Sequence, residues 1–315
     1  DRVLTHTGHY KQVQQVLTRK YSGRLYAIRP LGAPFPLKVT EDHPLLVAPR
    51  AQVKKGRLEK KPGKLVWKTP RELKQGDYLT MPISKETRDI ETYEHEYLIG
   101  QPSTGKRLAR KLNLEAETDL FRLVGYYLAE GYSVRRTVGF AFGEHETEYI
   151  SDTASLLAKL FGGEAKRSTV THSTHVLLHS VAAVQFFQQF GRGAENKNLP
   201  DWVMFAPVEK QRELIRGAWR GDGYLHRPTE GNRALFFEYV TTSRTLAFQL
   251  QQLLFRAGIV GQVAFVQHKN RKPSYVVTVR GRFVRNMAEL MKINFQDQRA
   301  KTFSHFKMDE DYVYA

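Results

Sequence analysis

Residues 123–131 have the sequence Leu-Val-Gly-Tyr-Tyr-Leu-Ala-Glu-Gly, and residues 215–223 repeat its pattern as Ile-Arg-Gly-Ala-Trp-Arg-Gly-Asp-Gly. In each copy a glycine follows an aliphatic residue by two positions, and an acid, Glu130 or Asp222, follows that glycine by five. A second glycine and a tyrosine come next in both copies. The two acids lie 92 residues apart, so this 315-residue chain uses one ten-residue pattern twice.

Each copy predicts the end of an apolar helix that stops at a glycine, Gly131 or Gly223. The apolar residues that indicate the two helices are Leu120, Val124 and Leu128 in the first copy and Leu214, Ala218 and Trp219 in the second. An ordinary helix with a terminal glycine and a solvated acid would explain either copy alone. Two copies in register favour a shared site.

Small residues recur four apart in both copies, as Gly125 with Ala129 and Gly217 with Gly221. This spacing lets two helices pack nearly backbone to backbone, which would bring the two acids side by side. A carboxylate in the last turn of a helix faces the negative end of the macrodipole, and a second carboxylate adds repulsion. A bound divalent cation would reverse both penalties.

The repeated pattern resembles the LAGLIDADG motif of homing endonucleases. This resemblance implies that the motif helices form the interface between pseudo-symmetric halves, and that the eighth motif position, here Glu130 and Asp222, binds catalytic Mg²⁺ or Mn²⁺. It also implies that the backbone carbonyls of Ala129 and Gly221 face metal. Departures from the consensus occur at Tyr126, Tyr127, Leu128, Arg216, Trp219 and Arg220. They leave the acids and the glycines intact.

The composition favours a globular protein of about two domains that binds a polyanion. Lys and Arg number 49 against 32 acids, giving a net charge of +17, and 41% of residues are hydrophobic. Nucleic acid is the leading partner and an anionic membrane is the competing one, which is disfavoured because the basic residues fall mostly in loops and predicted strands and not on a long basic amphipathic helix. The resemblance implies that the nucleic acid is double-stranded DNA.

Other classes of protein are excluded by what the sequence lacks. The absence of cysteine excludes disulfides, thiolate zinc sites and cysteine nucleophiles. No apolar run is long enough for a membrane span and no signal-peptide pattern opens the chain, although a start at Asp1 leaves a missing leader open. The resemblance implies an intracellular protein that acts on genomic DNA.

Residues 1–98 predict an all-β region of short strands punctuated by Gly and Pro. The predicted strands are Val13–Thr18, Arg24–Arg29, Lys38–Thr40, Leu45–Val47, Val66–Lys68 and Tyr78–Met81. Residues 39–45 and 71–79 resemble blocks of the Hint protein-splicing domain of inteins, with Thr40 and His43 in its Thr-x-x-His element.

A structural turn at His43 is the alternative to the Hint interpretation. Residues 306–315 are expected to begin a return into the same domain. Since a splicing nucleophile and a closing His-Asn pair are absent from the sequence, the chain as given is not expected to splice.

The segment from Arg50 to Lys68 carries eight basic residues and one acid, Glu59. It is either a solvated loop or a DNA-contacting extension. The candidate DNA contacts are Arg50, Lys54, Lys55, Arg57, Lys60 and Lys61, together with Arg135 and Arg136 after the first motif.

Residues 99–116 predict a basic linker, with Lys106, Arg107, Arg110 and Lys111 in it. Gly100-x4-Gly105-Lys106 imitates a phosphate-binding loop, but Arg107 stands where a Ser or Thr would bind magnesium. We therefore do not expect a nucleotide site here.

Residues 117–206 and 207–305 form an internal repeat of two αββαββα subdomains, so the fold class is α+β. Each half is expected to carry a twisted four-stranded sheet, polar on its outer face, and the two sheets would form a DNA-binding saddle. Ser151 and Ser243 each lie 21 residues after an acid and are predicted to cap the next helix.

Three histidines and two lysines complete the candidate residues. His172, His175 and His179 have a metal-like spacing, but no nearby acid or cysteine finishes a tetrahedral site, so a surface or DNA-facing position is favoured over a metal site. Lys197 matches the lysine block that precedes the second motif in intein endonucleases, and Lys301 falls at the comparable place in the second half. Both are candidate catalytic residues beside the scissile phosphates.

The resemblance covers nearly the whole chain and implies a single-chain, intein-encoded homing endonuclease, monomeric with internal pseudo-twofold symmetry. Such an enzyme cuts both strands of a long, asymmetric DNA site. Two alternatives remain open at this point, namely a LAGLIDADG RNA maturase and a DNA-binding remnant that has lost activity.

Overall fold

The computed structural model of the chain describes residues 1–49, 64–100, 105–227, 235–294, 307–308 and 310–314. Its helices are α1 Thr118–Glu130, α2 Thr147–Phe161, α3 Val181–Gln188, α4 Asp201–Met204, α5 Val208–Asp222, α6 Arg244–Arg256 and α7 Phe283–Leu290. The strands before α1 are β1 Arg2–Leu4, β2 Tyr10–Gln12, β3 Leu25–Ile28, β4 Leu37–Thr40, β5 Leu45–Ala48, β6 Val66–Lys68, β7 Tyr78–Pro82, β8 Thr92–Gly100 and β9 Arg107–Glu115.

The remaining strands form two repeated sets and a C-terminal pair. The first set is β10 Gly131–Val134, β11 Thr137–Gly143, β12 Lys166–Val170 and β13 Ser173–His179. The second set is β14 Gly223–His226, β15 Phe236–Thr241, β16 Gly261–Val266 and β17 Ser274–Arg280. The C-terminal pair is β18 Lys307–Met308 and β19 Tyr312–Tyr314.

The two halves have the same topology. The first sheet has the order β10-β11-β13-β12 and the second has the order β14-β15-β17-β16, with all neighbours antiparallel. Each half also places a helix before, between and after its two strand pairs, which is the αββαββα order that the sequence predicts. The fold is α+β.

Alternating side chains on each strand divide every sheet into a covered face and an open face. On β11, Val138, Phe140 and Phe142 are buried in the core beneath the helices, and on β17 Val277 and Val279 are buried in the same way. The intervening residues, such as Ala141 on β11 and Val276 on β17, lie on the opposite face and are partly exposed. This leaves one face of each sheet available for a partner.

The helices α1 and α5 pack against each other at the centre of the molecule, and their contact depends on glycine. A methyl group on Gly125 would lie 2.2 Å from the Leu214 carbonyl oxygen and 2.9 Å from the Cα of Gly217. A methyl group on Gly217 would lie 2.3 Å from the Arg122 carbonyl oxygen. Since all three neighbours are backbone atoms, only glycine permits this approach.

Helix α2 begins earlier than the sequence predicts. It starts at Thr147, so Ser151 lies inside the helix and does not cap it. The Gly143 amide donates to the Glu146 carboxylate, forming a turn that starts the helix there, and Ile150 in the added first turn is 4% exposed. The prediction holds in the second half, where the Ser243 hydroxyl accepts from the Leu246 amide at the start of α6.

The predicted strand Val13–Thr18 is wrong. Strand β2 ends at Gln12, and the side chains of Val16 and Leu17 beyond it are 81% and 83% exposed, so they contribute nothing to a core. The other five predicted strands of residues 1–98 are present with ends shifted by one residue at most. Strands β5, β6 and β7 share a sheet with β18 and β19, so residues 312–314 pair with β7.

The linker predicted at 99–116 is contradicted by the ribbon of β8 and β9, whose pairing runs from Thr92↔Glu115 to Gly100↔Arg107. Its covered face packs on the first half, where Tyr93 stacks on Trp202 with ring centroids 4.7 Å apart. The polar composition misleads because a two-stranded ribbon needs apolar residues on one face only. Residues 101–104, between the two strands, lie outside the described residues.

The N-terminal β region is docked on the second half. The Arg256 guanidinium donates to the carbonyl oxygens of Ser84, Glu86 and Ala206. The Val263 amide on the edge strand β16 donates to the Gly32 carbonyl at 3.0 Å. Among the described residues, no helix is long and apolar enough to cross a membrane.

Candidate functional site

The two motif acids are the last residues of the two central helices. Glu130 ends α1 and Asp222 ends α5, and in each case the next glycine begins a strand with an extended backbone. Gly221 lies against the first acid, because a methyl group there would be 2.9 Å from Glu130 Cγ and 2.5 Å from Ala129 Cβ. The helix interface therefore brings together the residues that the two motif copies predict as metal ligands.

The surroundings of Glu130 disfavour the ionised form of its carboxylate. Burial, together with the nearby charges of Asp222 and Glu146, raises the pKa of Glu130 to about 8, while the charge of Lys197 acts in the opposite direction. Among the described residues, the Glu130 carboxylate makes no hydrogen bond and no ion pair. The fold thus places a carboxyl group where ionisation is unfavourable without supplying a direct partner for its charge.

Asp222 shares this environment, although its side chain is exposed to solvent on one side. The protein atoms around the rest of the side chain desolvate it and raise its pKa, and the charge of Lys197 opposes this shift. Water screens the charge on the exposed side of the carboxylate. Two carboxylates in this state fit a divalent cation, which would stabilise the ionised form of both.

Lys197 lies under the end of α1 and is only 5% exposed. Its Nζ donates to the carbonyl oxygens of Tyr127 and Gly131 and lies 3.6 Å from the centroid of the Tyr127 ring. Burial lowers the pKa of Lys197 to about 7, although the charges of Asp222 and Glu130 favour its protonated form. This lysine therefore bonds helix-terminal carbonyls and acts on the acids through space.

The segment that carries Lys197 is held in place by the second half of the chain. The Ser243 hydroxyl, which also caps α6, donates to the Lys197 carbonyl at 2.6 Å. The Gln249 side chain accepts from the Leu199 amide at 2.8 Å and donates to the Leu199 carbonyl at 2.7 Å. These hydrogen bonds hold residues 197–199 against α6 and place Lys197 beside Asp222, the acid of the second motif.

A cleft of about 370 Å³ opens beside these groups. Its walls come from both halves and include Tyr132, Arg192, Lys197, Asp222 and Thr241. Among the described residues, no three side chains of His, Cys, Asp and Glu types are grouped so that they could hold a metal ion. A cation between the two acids would therefore take its other ligands from backbone carbonyls, water or a substrate.

Several candidate residues lie elsewhere or outside the described ranges. Arg135 and Arg136 are exposed in the turn between β10 and β11. Thr40 is the last residue of β4 and His43 lies in the turn that follows it, where the Thr40 hydroxyl donates to Asp42. The remaining basic candidates, Arg50, Lys54, Lys55, Arg57, Lys60, Lys61 and Lys301, lie outside the described residues.

The three histidines have separate partners. His175 Nδ1 lies 2.8 Å from the Tyr132 hydroxyl, and His179 Nδ1 lies 3.2 Å from the Thr137 hydroxyl. His172 is highly exposed, with its Nδ1 3.5 Å from the Glu144 carboxylate.

The sequence did not indicate two buried polar groups that lie near the acids. The Tyr239 hydroxyl and the Trp219 indole nitrogen are buried, and neither has a hydrogen-bond partner among the described residues. Their rings lie 4.9 Å apart, and the charges of Asp222 and Glu130 add to the burial that raises the Tyr239 pKa. Trp219 occupies the same motif position as Tyr127, whose ring contacts Lys197. The internal repeat was therefore the one sequence signal that could have indicated Trp219.

Comparison with known proteins connects part of this architecture to a family. Residues 209–292, which contain α5 and most of the second half, match the LAGLIDADG-like domain. Over 99% of its length the chain is 29% identical to the ATP-dependent DNA helicase Hel308 of Thermococcus kodakarensis. Over 82% of its length it is 28% identical to an iron–sulfur cluster assembly SufBD family protein of Mycobacterium tuberculosis.

The chain spans about a third of these relatives, 31% of the helicase and 30% of the SufBD family protein. Among solved structures, the homing endonuclease I-DmoI in complex with DNA and Mn aligns with 58% of this chain and 100% of its own length. The TM-score of that alignment is 0.44 and the sequence identity is 10%.

Proposed function

We propose that this chain is a site-specific homing endonuclease of the LAGLIDADG type, which makes metal-dependent double-strand breaks in a long, asymmetric DNA target. The observation that carries the proposal is the pair of acids, Glu130 and Asp222, brought together at the interface of two repeated αββαββα halves without a direct cationic partner. A structural ion pair would have supplied such a partner.

In this proposal Glu130 and Asp222 hold Mg²⁺ or Mn²⁺ together with the backbone carbonyls of Ala129 and Gly221. When bound, the ion supplies Lewis-acid stabilisation of the charge that develops on the phosphate oxygens. One acid comes from each half, so the pseudo-twofold arrangement offers an equivalent position to each DNA strand.

Lys197 has a separate role. With a pKa of about 7 it can carry or release a proton near neutral pH, in the cleft that Asp222 also lines. A protonated Nζ there compensates negative charge at a scissile phosphate. Lys301 is proposed to act in the same way for the second half.

The net charge of +17 supports DNA as the substrate. The open faces of the two sheets would lie in the major groove, where base edges carry a distinguishing code, and Arg135, Arg136 and the basic segment 50–68 would contact the backbone. The chain would act as a monomer, since it contains both halves of the site, and it would act on genomic DNA inside the cell.

We further propose an intein origin. A helicase and an iron–sulfur cluster assembly protein have different activities, yet each contains a segment related to this chain that makes up about a third of its length. An element inserted into unrelated host proteins would produce this distribution. The N-terminal β region, with Thr40 at the end of β4 and His43 in the turn that follows, would then be part of a Hint domain.

The direct test is cleavage of a plasmid that carries the uninterrupted host sequence at the point of insertion. We expect linear product with Mg²⁺ or Mn²⁺ and none with EDTA. Glu130→Gln and Asp222→Asn should abolish cutting of both strands while DNA binding survives, because phosphate contacts elsewhere carry the affinity. Either variant cutting both strands at the wild-type rate would overturn the site assignment.

Two other outcomes point to the competing functions. Binding without cleavage by the wild-type protein would indicate a remnant that has lost activity. A preference for structured RNA over duplex DNA would indicate a maturase.

A further inference from the structure

The open face of the second sheet carries a row of stacked side chains. His226, Phe236 and Arg280 are direct neighbours across β14, β15 and β17. The Arg280 guanidinium lies 4.3 Å from the Phe236 ring centroid, and the His226 ring stacks on Phe236 at 4.0 Å with an interplanar angle of 18°. Tyr224 packs edge-on against His226 at 4.6 Å.

This row lies on the same face of the sheet as the mouth of the acid-containing cleft. Val279, the residue before Arg280, is buried in the core, so Arg280 lies on the opposite face, where it is exposed. Val240 lines the cleft beside Asp222 and shares this face with Phe236, because the two are four residues apart on one strand. The row is three residues from Gly223 along β14, which corresponds to about 10 Å.

The stack fixes the position of the guanidinium. Phe236 is 8% exposed, so its ring is a rigid platform held between the sheet and its neighbours. A cation above an aromatic ring is attracted by the quadrupole of the ring, and a planar guanidinium keeps its edge of donors free for a second partner. Such an edge matches the O6 and N7 acceptors of guanine in the major groove.

The described residues of the first half show no such stack. By strand register, the equivalent row consists of Val134, Thr137 and His179. There the space is an open cleft of about 370 Å³, which the exposed Arg135 and Arg136 also line, and the Thr137 hydroxyl lies 3.2 Å from His179 Nδ1. The two halves therefore present different chemistry at equivalent places, a fixed cation in one and a cleft in the other.

We propose that Arg280 is a specificity-determining residue that recognises the guanine of one G·C pair, on the side of the target bound by the second half only. The inference rests on the proposed endonuclease function and assigns part of its target specificity. Phe236 and His226 are positioning residues, which act by holding the guanidinium.

The test is selection of bound duplexes from a randomised DNA library by the full chain in EDTA, followed by measurement of affinity for the selected duplex and its single-base variants. The variants are Arg280→Ala, Arg280→Lys, which keeps the charge and loses the planar fork, and Phe236→Leu, which removes the platform. Arg285→Ala is the matched control, because Arg285 is an exposed arginine on α7, behind the same sheet.

We expect Arg280→Ala and Arg280→Lys to lose, by on the order of 10-fold, the preference for one G·C pair on one side of the centre, with other positions unchanged. Phe236→Leu should weaken the same preference, and Arg285→Ala should not. Arg280→Ala could instead weaken DNA binding equally on all sequences and reduce the slope of log affinity against log salt by about one, with both restored by Arg280→Lys. That result would make Arg280 a phosphate contact and overturn the inference.

An unchanged base preference in Arg280→Ala would also overturn it. If the wild-type protein selects no DNA, the proposed function fails together with this inference. If the wild type selects a sequence that Arg280→Ala selects equally well, only the inference fails.

Discussion

Replacing Glu130 by Gln should stabilise the metal-free protein while it abolishes cleavage. The pKa of Glu130 is about 8 in the folded chain, compared with an ordinary value of 4.5. Between these values the folded state keeps a proton that the unfolded state has lost, so the stability of the wild type falls as pH rises through this window. Gln has nearly the same shape and no charge, and it removes this penalty.

The size of the effect follows from the same two values. The full difference corresponds to an upper limit of about 5 kcal/mol above pH 8. Part of the Glu130 side chain is reached by solvent, so we expect a gain of about 1–3 kcal/mol at pH 8.5. This corresponds to a rise in melting temperature of about 2–10 °C, and the gain should shrink toward zero as pH falls to about 4.5.

The assay is thermal unfolding in EDTA across this pH range, repeated with Mg²⁺ or Mn²⁺. Metal should stabilise the wild type by binding the folded state and should stabilise Glu130→Gln far less. Glu289→Gln, at an exposed site on α7, is the control for loss of one negative charge. A Glu130→Gln protein that melts below the wild type at pH 8.5 in EDTA would show that the carboxylate stabilises the fold, and our account of the acid pair would be wrong.

Three further predictions concern the lysine, the helix interface and the basic segment. Lys197→Met should slow single-turnover cleavage by about 10²–10³-fold with a smaller loss of DNA affinity, and equal losses would reduce Lys197 to a backbone contact. Gly217→Leu should lower the free energy of unfolding by about 1–3 kcal/mol in denaturant titrations, since the added carbons meet backbone atoms of α1, and an unchanged value would contradict the packing. Neutralising the lysines and arginines of residues 54–61 together should flatten the dependence of affinity on salt and shorten the footprint on one side. An unaltered footprint and slope would show that this segment is a solvated loop that does not contact DNA.

The sequence predicted the repeat and the acid pair because both depend on local spacing. The i,i+4 glycines and the acid after them repeat with the same offsets, and the period of an α-helix then determines which residues share a face. The strand pairs and the order of elements followed from the same repeat. These features need no knowledge of long-range contacts.

The remaining errors arise where a distant part of the chain decides the local structure. The ribbon of β8 and β9 is stable because Tyr93 packs on Trp202, a contact across more than a hundred residues. The burial of Lys197 depends on Ser243 and Gln249 in the other half, so its sequence neighbourhood indicates only a polar loop. The start of α2 before Ser151 depends on burial of Ile150.

The helix interface and the acid site have one structural cause. Gly217 and Gly221 lie one turn apart on α5. Because Gly217 has no side chain, the backbone of α1 can approach it, and because Gly221 has none, there is room for the side chain of Glu130. The packing that stabilises the centre of the molecule therefore also brings the two acids to one interface, where the charge of Asp222 disfavours ionisation of Glu130. Substitutions that widen the interface should reduce the repulsion and weaken the cation site together. In the proposed function, the affinity for metal and the stability of the metal-free protein are therefore opposed.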